Sequence, residues 1–345
     1  MIELGPDSKL RPSKFSDLYI YDDWLEIRII KDHCFDIIGY HEVPNRVLVL
    51  PPEIEGLKAR KILSNAFFCC ELVDEIVVSE GYTEIDYEAF AYSSIKKITI
   101  PSSMEYIDSL AFRGCMSLDS IIIDPRNEKY DSRHGCNAVI VTRLNHLIVG
   151  CRESDIVPGV ESIEYSVFVY GFAGRVREII LPGTITEISG ADYTLGTARC
   201  LSTLSSMVIE NPKKILGLEY LIKNTVSPKL TLHFPRKYRG IKAEFVKNRC
   251  DFRYHDTFYY TIECNESGLV VPKLNEFGEN SYQGVVKIYE KVYDINTERV
   301  IDVVGIDDFA FSDCKNLMKV IIPEKIRNNV SPLAFINFEG EIIYE

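Results

Sequence analysis

An aliphatic residue placed five positions ahead of an aromatic one recurs seven times along this chain of 345 residues. The pairs are Ile62/Phe67, Ile85/Phe90, Ile107/Phe112, Ile163/Phe168, Ile188/Tyr193, Ile306/Phe311 and Val330/Phe335, and Ala directly precedes most of the aromatic residues. Where the series is unbroken, copies lie 22 to 25 residues apart. A unit this short cannot bury its own apolar face and gains a core only by stacking on its neighbours. The spacing therefore predicts a repeat array that grows in one dimension.

Between each aromatic residue and the next aliphatic one runs a short β-type segment. These are Glu75-Ile76-Val77-Val78, Lys97-Ile98-Thr99-Ile100, Ser120-Ile121-Ile122-Ile123, Glu178-Ile179-Ile180-Leu181, Ser206-Met207-Val208-Ile209 and Lys319-Val320-Ile321-Ile322. Alternation with period two turns Ile98 and Ile100 inward and Lys97 and Thr99 outward. Proline at 101, 182 and 323 ends three of these strands, since it has no N–H to add to a ladder. Each coil is thus a strand, a turn, a return arm with at most one helical turn, and another turn.

The run Lys-Ile-Thr-Ile-Pro-x-x-Met-x-x-Ile-x-x-x-Ala-Phe-x-x-Cys-x-x-Leu at 97–118 resembles the BspA-type leucine-rich repeat. The stretch Asp307 to Leu317 is similar to the same pattern, and 137–151 resembles the hairpin this family inserts between coils. The resemblance covers 44–210 and 284–345 and fades between 210 and 283, where Leu230-Thr231-Leu232-His233-Phe234-Pro235 keeps a coil strand without an Ala-Phe station. It implies a right-handed solenoid, β-rich, with a parallel sheet on its concave side and short irregular or helical return arms. Many relatives are surface or secreted adhesion proteins. The first thirty residues of this chain hold no apolar run of signal-peptide length, so the chain as given reads as cytoplasmic, with cell surface or secretion as the alternative.

Three regions are expected. Residues 1–43, which carry Trp24 and lack the repeat phase, read as an N-terminal cap. Residues 44–255 form a repeat block with a hairpin insertion near 137–151 and degenerate coils after 210. Residues 256–345 form a second repeat block ending on Glu341-Ile342-Ile343-Tyr344, an edge strand. One bent solenoid and two separate blocks are both compatible with this pattern.

Lys and Arg total 39 against 51 acidic residues, a formal net charge of −12. That balance lacks the basic stripe a nucleic-acid surface needs, and Arg236-Lys237-Tyr238-Arg239 reads as a solvated turn. No apolar run is long enough to span a membrane. Cys70, Cys115 and Cys314 each follow the repeat Phe by three residues, the station of a small buried hydrophobe, so the thiols read as reduced and structural. His134, Cys136 and Cys151 are the nearest approach to a thiol centre, yet nothing in the spacing supplies a base or a metal-ligand pair. Tyr193-Thr194-Leu195-Gly196-Thr197 is a degraded return arm rather than a phosphate loop. No cofactor, metal or catalytic set is expected.

The outward strand stations carry the functional expectation. Val77, Thr99, Ile122, Ile180, Val208 and Ile321 are all β-branched and form a stripe, flanked by the polar rail Glu75, Lys97, Ser120, Glu178, Ser206 and Lys319. An apolar strip rimmed by polar groups suits a protein partner. The expected site is Glu75, Val77, Lys97, Thr99, Ser120, Ile122, Glu178 and Ile180, and the expected function is a non-enzymatic protein-interaction module. The alternatives are a cell-surface adhesin or glycan-binding protein, and a stripe covered by residues 1–43. Neither the partner nor the oligomeric state has a signature in the sequence.

Overall fold

The computed structural model describes residues 7–14, 17–30, 33–172, 177–190, 201, 203–212, 215–225, 230–235, 250–255, 269–272, 280, 282, 284–294, 299–314 and 317–345. Tyr193 to Thr197, Arg236 to Arg239 and the glycines at 268 and 278 lie outside them.

Strands Val47–Leu50, Glu75–Val78, Lys97–Ile100 and Ser120–Ile123 form one parallel sheet. Its register aligns Val49, Val77, Thr99 and Ile122 in one row and Val47, Glu75, Lys97 and Ser120 in the next. A second parallel sheet holds Glu178–Leu181, Ser206–Ile209, Leu230–Pro235 and Cys250–His255, and a third holds Gly284–Lys287, Leu317–Ile322 and Glu341–Tyr344. The solenoid expected from the repeat is the observed architecture. The return arms are short, with little helix, and carry brief strands: Leu57–Ile62, Glu84–Ile85 and Tyr106–Ile107 pair in parallel, placing Ile62, Ile85 and Ile107 in register. An aliphatic residue repeated at the same height satisfies its backbone polar groups through neighbouring coils, so a strand serves where an isolated turn would leave them unpaired.

The aromatic half of each pair builds the core. Phe67, Phe90 and Phe112 stack with centroids 5.3 Å apart and planes within 8° of parallel. Phe311 and Phe335 repeat the arrangement at 5.3 Å. The preceding Ala is fully buried, and its carbonyl accepts from the Phe N–H of the previous coil: Phe67 to Ala89 at 2.7 Å, Phe90 to Ala111 at 2.9 Å, Phe311 to Ala334 at 2.8 Å. A larger side chain there would hold the coils apart. Two residues past each of these Phe residues the backbone is left-handed, at Cys69, Tyr92, Gly114, Asp313 and Asn337 (φ between +54° and +70°). The Gly, Asp and Asn at this station are the residues that tolerate such a conformation best.

The strands Leu10–Pro12, Leu18–Tyr21, Leu25–Ile30 and Cys34–Tyr40 form an antiparallel meander. Its last strand pairs in parallel with Leu57–Ile62, and the Tyr40 ring stacks on Phe67 at 5.7 Å, extending the aromatic column by one ring. The meander thus abuts the return-arm sheet.

After the first sheet an antiparallel hairpin, Val139–Val141 with His146–Val149, joins the return-arm strands Ser162–Glu164 and Glu187–Ser189. Two asparagines close the interrupted ladder. Asn127 is buried, its Nδ2 donating to the Pro101 and Met104 carbonyls while the Lys129 and Tyr130 N–H groups donate to its Oδ1, all between 2.8 and 3.0 Å. Asn137 receives the Ile121 N–H at 2.7 Å and donates to the Asp119 carbonyl, standing in for the next strand. The later coils return to this hairpin: Lys287 Nζ donates to the His134 carbonyl at 3.3 Å, and the Tyr289 ring meets His134 edge-on at 5.4 Å. Residues 134 and 287 are separated by roughly six coils, or about 29 Å in a straight stack at the usual strand spacing. The contact therefore excludes a straight stack.

Candidate functional site

The strand face of the first sheet carries six of the eight expected site residues. Val77, Thr99 and Ile122 lie in one row, and Glu75, Lys97 and Ser120 in the adjacent one. The row gains a member that the repeat spacing does not mark: Val49, in register with Val77 and 60% exposed. Its strand, Val47–Leu50, ends on Pro51 like Ile100 on Pro101, a signal present in the sequence, but the Ile62/Phe67 pair follows it at a longer spacing than in the next two coils. Ile122, on the opposite edge strand, is 43% exposed. The exposure at both ends shows that the meander leaves these positions open.

The polar rail is internally paired. Lys97 Nζ lies 2.8 Å from Glu75 Oε1, and Lys319 pairs with Glu341 at the same distance. At the strand entries Asp74 lies between the Arg46 guanidinium and Lys96, which together hold its carboxyl well below the usual range. Charges so neutralised leave the apolar row as the feature with most surface to lose on contact.

Glu178 and Ile180 are not part of that row. They belong to the second sheet, which makes no ladder with the first, and with Ser154, Asp155, Ile156, Phe172 and Ile179 they line a cleft of about 210 Å³ beside the hairpin. Ser206 Oγ donates to Glu178 Oε2 at 2.7 Å. Val208 departs from expectation: it sits on a central strand between Ile180 and His233 and is only 1% exposed, so the stripe does not continue across this sheet. Sequence spacing gives the register of strands but not where one sheet stops.

The buried thiols among the described residues are in an environment opposite to that of a nucleophile. Burial pushes Cys115, Cys136 and Cys314 up to about 11 and raises Cys70 and Cys151 as well. Cys70, Cys115 and Cys314 occupy equivalent buried stations with Ser93, whose Oγ lies 3.4 Å from Cys115 Sγ. His134, the base considered for Cys136 and Cys151, faces Tyr289, and burial lowers its pKa. Among the described residues no cluster of three His, Cys, Asp or Glu side chains could hold a metal ion, and no helix is long and apolar enough to cross a membrane. Brief alkylation at pH 8 should modify the exposed Cys69 and spare Cys70, Cys115, Cys136, Cys151 and Cys314. Peptide mapping that finds Cys136 or Cys151 labelled as fast as Cys69 would show the opposite.

The family profile described as the BspA type leucine rich repeat region matches residues 53–141 and 295–341 in six copies. Those residues are BspA-type leucine-rich repeats. The matched residues include the Phe67 to Phe112 column and the Phe311 to Phe335 pair, so the BspA-type pattern coincides with the stacked core. No curated protein matches it. Among solved structures, a leucine-rich cell surface protein of Faecalibacterium prausnitzii aligns at 13% identity, covering 97% of this chain and 96% of that one, with a TM-score of 0.23. A leucine-rich repeat protein of Bacteroides ovatus aligns at 15% identity over 94% of this chain and 98% of its own, TM-score 0.28. The pneumococcal vaccine antigen PcpA aligns at 10% over 97% and 98%, TM-score 0.27.

Proposed function

We propose that this leucine-rich repeat chain is a non-enzymatic protein-interaction module that holds a partner against the strand face of its first sheet. The observation that carries this reading is the open apolar row Val49, Val77, Thr99 and Ile122, beside the self-paired rail of Glu75, Lys97 and Ser120. Parallel strands in register hold these side chains at fixed spacing, so little side-chain entropy is lost on contact. Glu178 and Ile180 flank the same partner from the neighbouring cleft. The buried, high-pKa thiols favour this reading over a thiol enzyme.

The test is quantitative affinity capture with Val77→Glu/Ile122→Glu run beside the unaltered protein. Both positions point away from the core, so the circular dichroism spectrum and melting temperature should be unchanged. A partner captured by the unaltered protein should be depleted at least ~100-fold by two charges placed in a desolvated row. Capture that survives the double substitution removes the assignment to this face.

A further inference from the structure

Tyr289 belongs to the third sheet by chain order and to the hairpin by packing. The neighbouring Ile288 N–H donates to the Ile321 carbonyl at 2.8 Å, yet the Tyr289 ring, 3% exposed, lies in the buried cluster of Cys136, Ala138, Ile140 and Leu147. His134 meets that ring edge-on at 5.4 Å, and Lys287 Nζ lies 5.8 Å from its centroid. Lys287 Nζ also donates to the His134 carbonyl at 3.3 Å. His134, at φ +57°, thus turns both its ring and its carbonyl towards the third sheet. Among the described residues four charged groups face it: Asp131, Arg133, Lys287 and Glu290. Asp131 and Arg133, on its own segment, pair with each other at 2.7 Å. Lys287 pairs with Glu345 at 3.2 Å, and Glu290 with Lys325 at 3.2 Å. Each carboxylate facing the ring therefore already holds a cation.

We propose that this contact is an acid-released latch: a proton on His134 parts the third sheet from the hairpin. The proton would place a buried cation between Lys287 and Arg133, with no free carboxylate to receive it. Burial lowers the His134 pKa; Glu290 opposes this, and Arg133 and Lys287 add to it. For a histidine whose pKa is lower in the closed state, the contact is whole above the free value of about 6.5 and weakens as pH falls towards the closed-state value. Asp155 also senses Lys287. Burial raises its carboxyl and the Lys287 charge pulls it back. Asp155 lines the cleft with Ser154, Phe172 and Ile179, none of them from the third sheet, so of the two effects the Lys287 charge is the one that release removes. Its titration therefore acts in the same direction as that of His134.

The experiment is Förster transfer in the full chain between pH-insensitive fluorophores, carried by non-natural residues at the exposed positions Leu144 and Met318. At constant ionic strength, transfer should fall between pH 7.5 and 5 while the far-ultraviolet circular dichroism stays the same. The open-to-closed ratio should rise by up to about tenfold per pH unit below about 6.5. His134→Asn suits the left-handed backbone, keeps the carbonyl that accepts from Lys287 and cannot be protonated in this range. It should abolish the pH response. Tyr289→Ala should lower transfer at every pH, because the ring that seats the third sheet is gone. Flat transfer in the unaltered protein, or a pH response that survives in His134→Asn, overturns the proposal. So does full transfer in Tyr289→Ala, and so does a loss of circular dichroism that accompanies the fall, which would be acid unfolding of the coils themselves.

Discussion

Phe90→Ala should destabilise the first block by about 3–5 kcal/mol, the usual cost of emptying a fully buried phenylalanine site. Phe90 is the middle ring of the Phe67–Phe90–Phe112 column and has no exposed surface, so the deletion removes two stacked contacts and opens a cavity between coils. In a solenoid each coil leans only on its neighbours, so the loss should also divide the unfolding transition. Urea denaturation should show an added early phase. Hydrogen exchange should place the lost protection in 47–123 while Gly284–Lys287 and Leu317–Ile322 keep theirs. A single undivided transition with a shift under about 1 kcal/mol would show that the column is not what couples these coils.

Asn127→Ala should be of similar size, near 3 kcal/mol or more, although it removes few atoms. The Asn127 amide uses both N–H groups and both lone pairs, and four backbone groups lose a partner with it. Each such group left unpaired away from water costs about 1–3 kcal/mol, with water entry reducing the sum. Asn127→Asp makes the mechanism visible through pH. The carboxylate can still accept from Lys129 and Tyr130, but it would face the Pro101 and Met104 carbonyls with no hydrogen to offer. Its folded pKa should therefore lie above its unfolded value of about 4. For an acid raised on folding, the penalty is absent below the unfolded pKa and grows as pH rises towards the folded one. The gap in stability between Asn127→Asp and the unaltered protein should accordingly shrink as pH falls below about 5. A gap that is constant across that range would mean the amide hydrogens contribute nothing.

Much of the core was legible because its determinants are local and periodic. Ile62, Ile85 and Ile107 repeat at the coil length, and so do Phe67, Phe90 and Phe112; any chain with that spacing must stack them or expose them. The Cys70 and Cys115 stations followed from the same phase. The candidate surface was only partly legible. Val77, Thr99 and Ile122 share a row as alternation requires, while Val208, with the same alternation, is buried, and Val49 joins the row without the spacing that marks the others. Alternation reports which side of a strand a residue takes, not what lies over that side.

The sequence by itself determined the coil: its length, its inward Ile and Phe, and the Ala beside each of these Phe residues. These follow from short-range sterics and from the need of a 22- to 25-residue unit to stack. Only the tertiary structure decided where the stack is interrupted and how the interruption is closed. Asn127 and Asn137 act as substitutes for a missing strand because the hairpin places them at a ladder's open edge, and Tyr289 meets His134 because later coils return to that hairpin. Such contacts join residues up to 153 positions apart, and a single chain's local pattern carries no record of a pairing made across that distance.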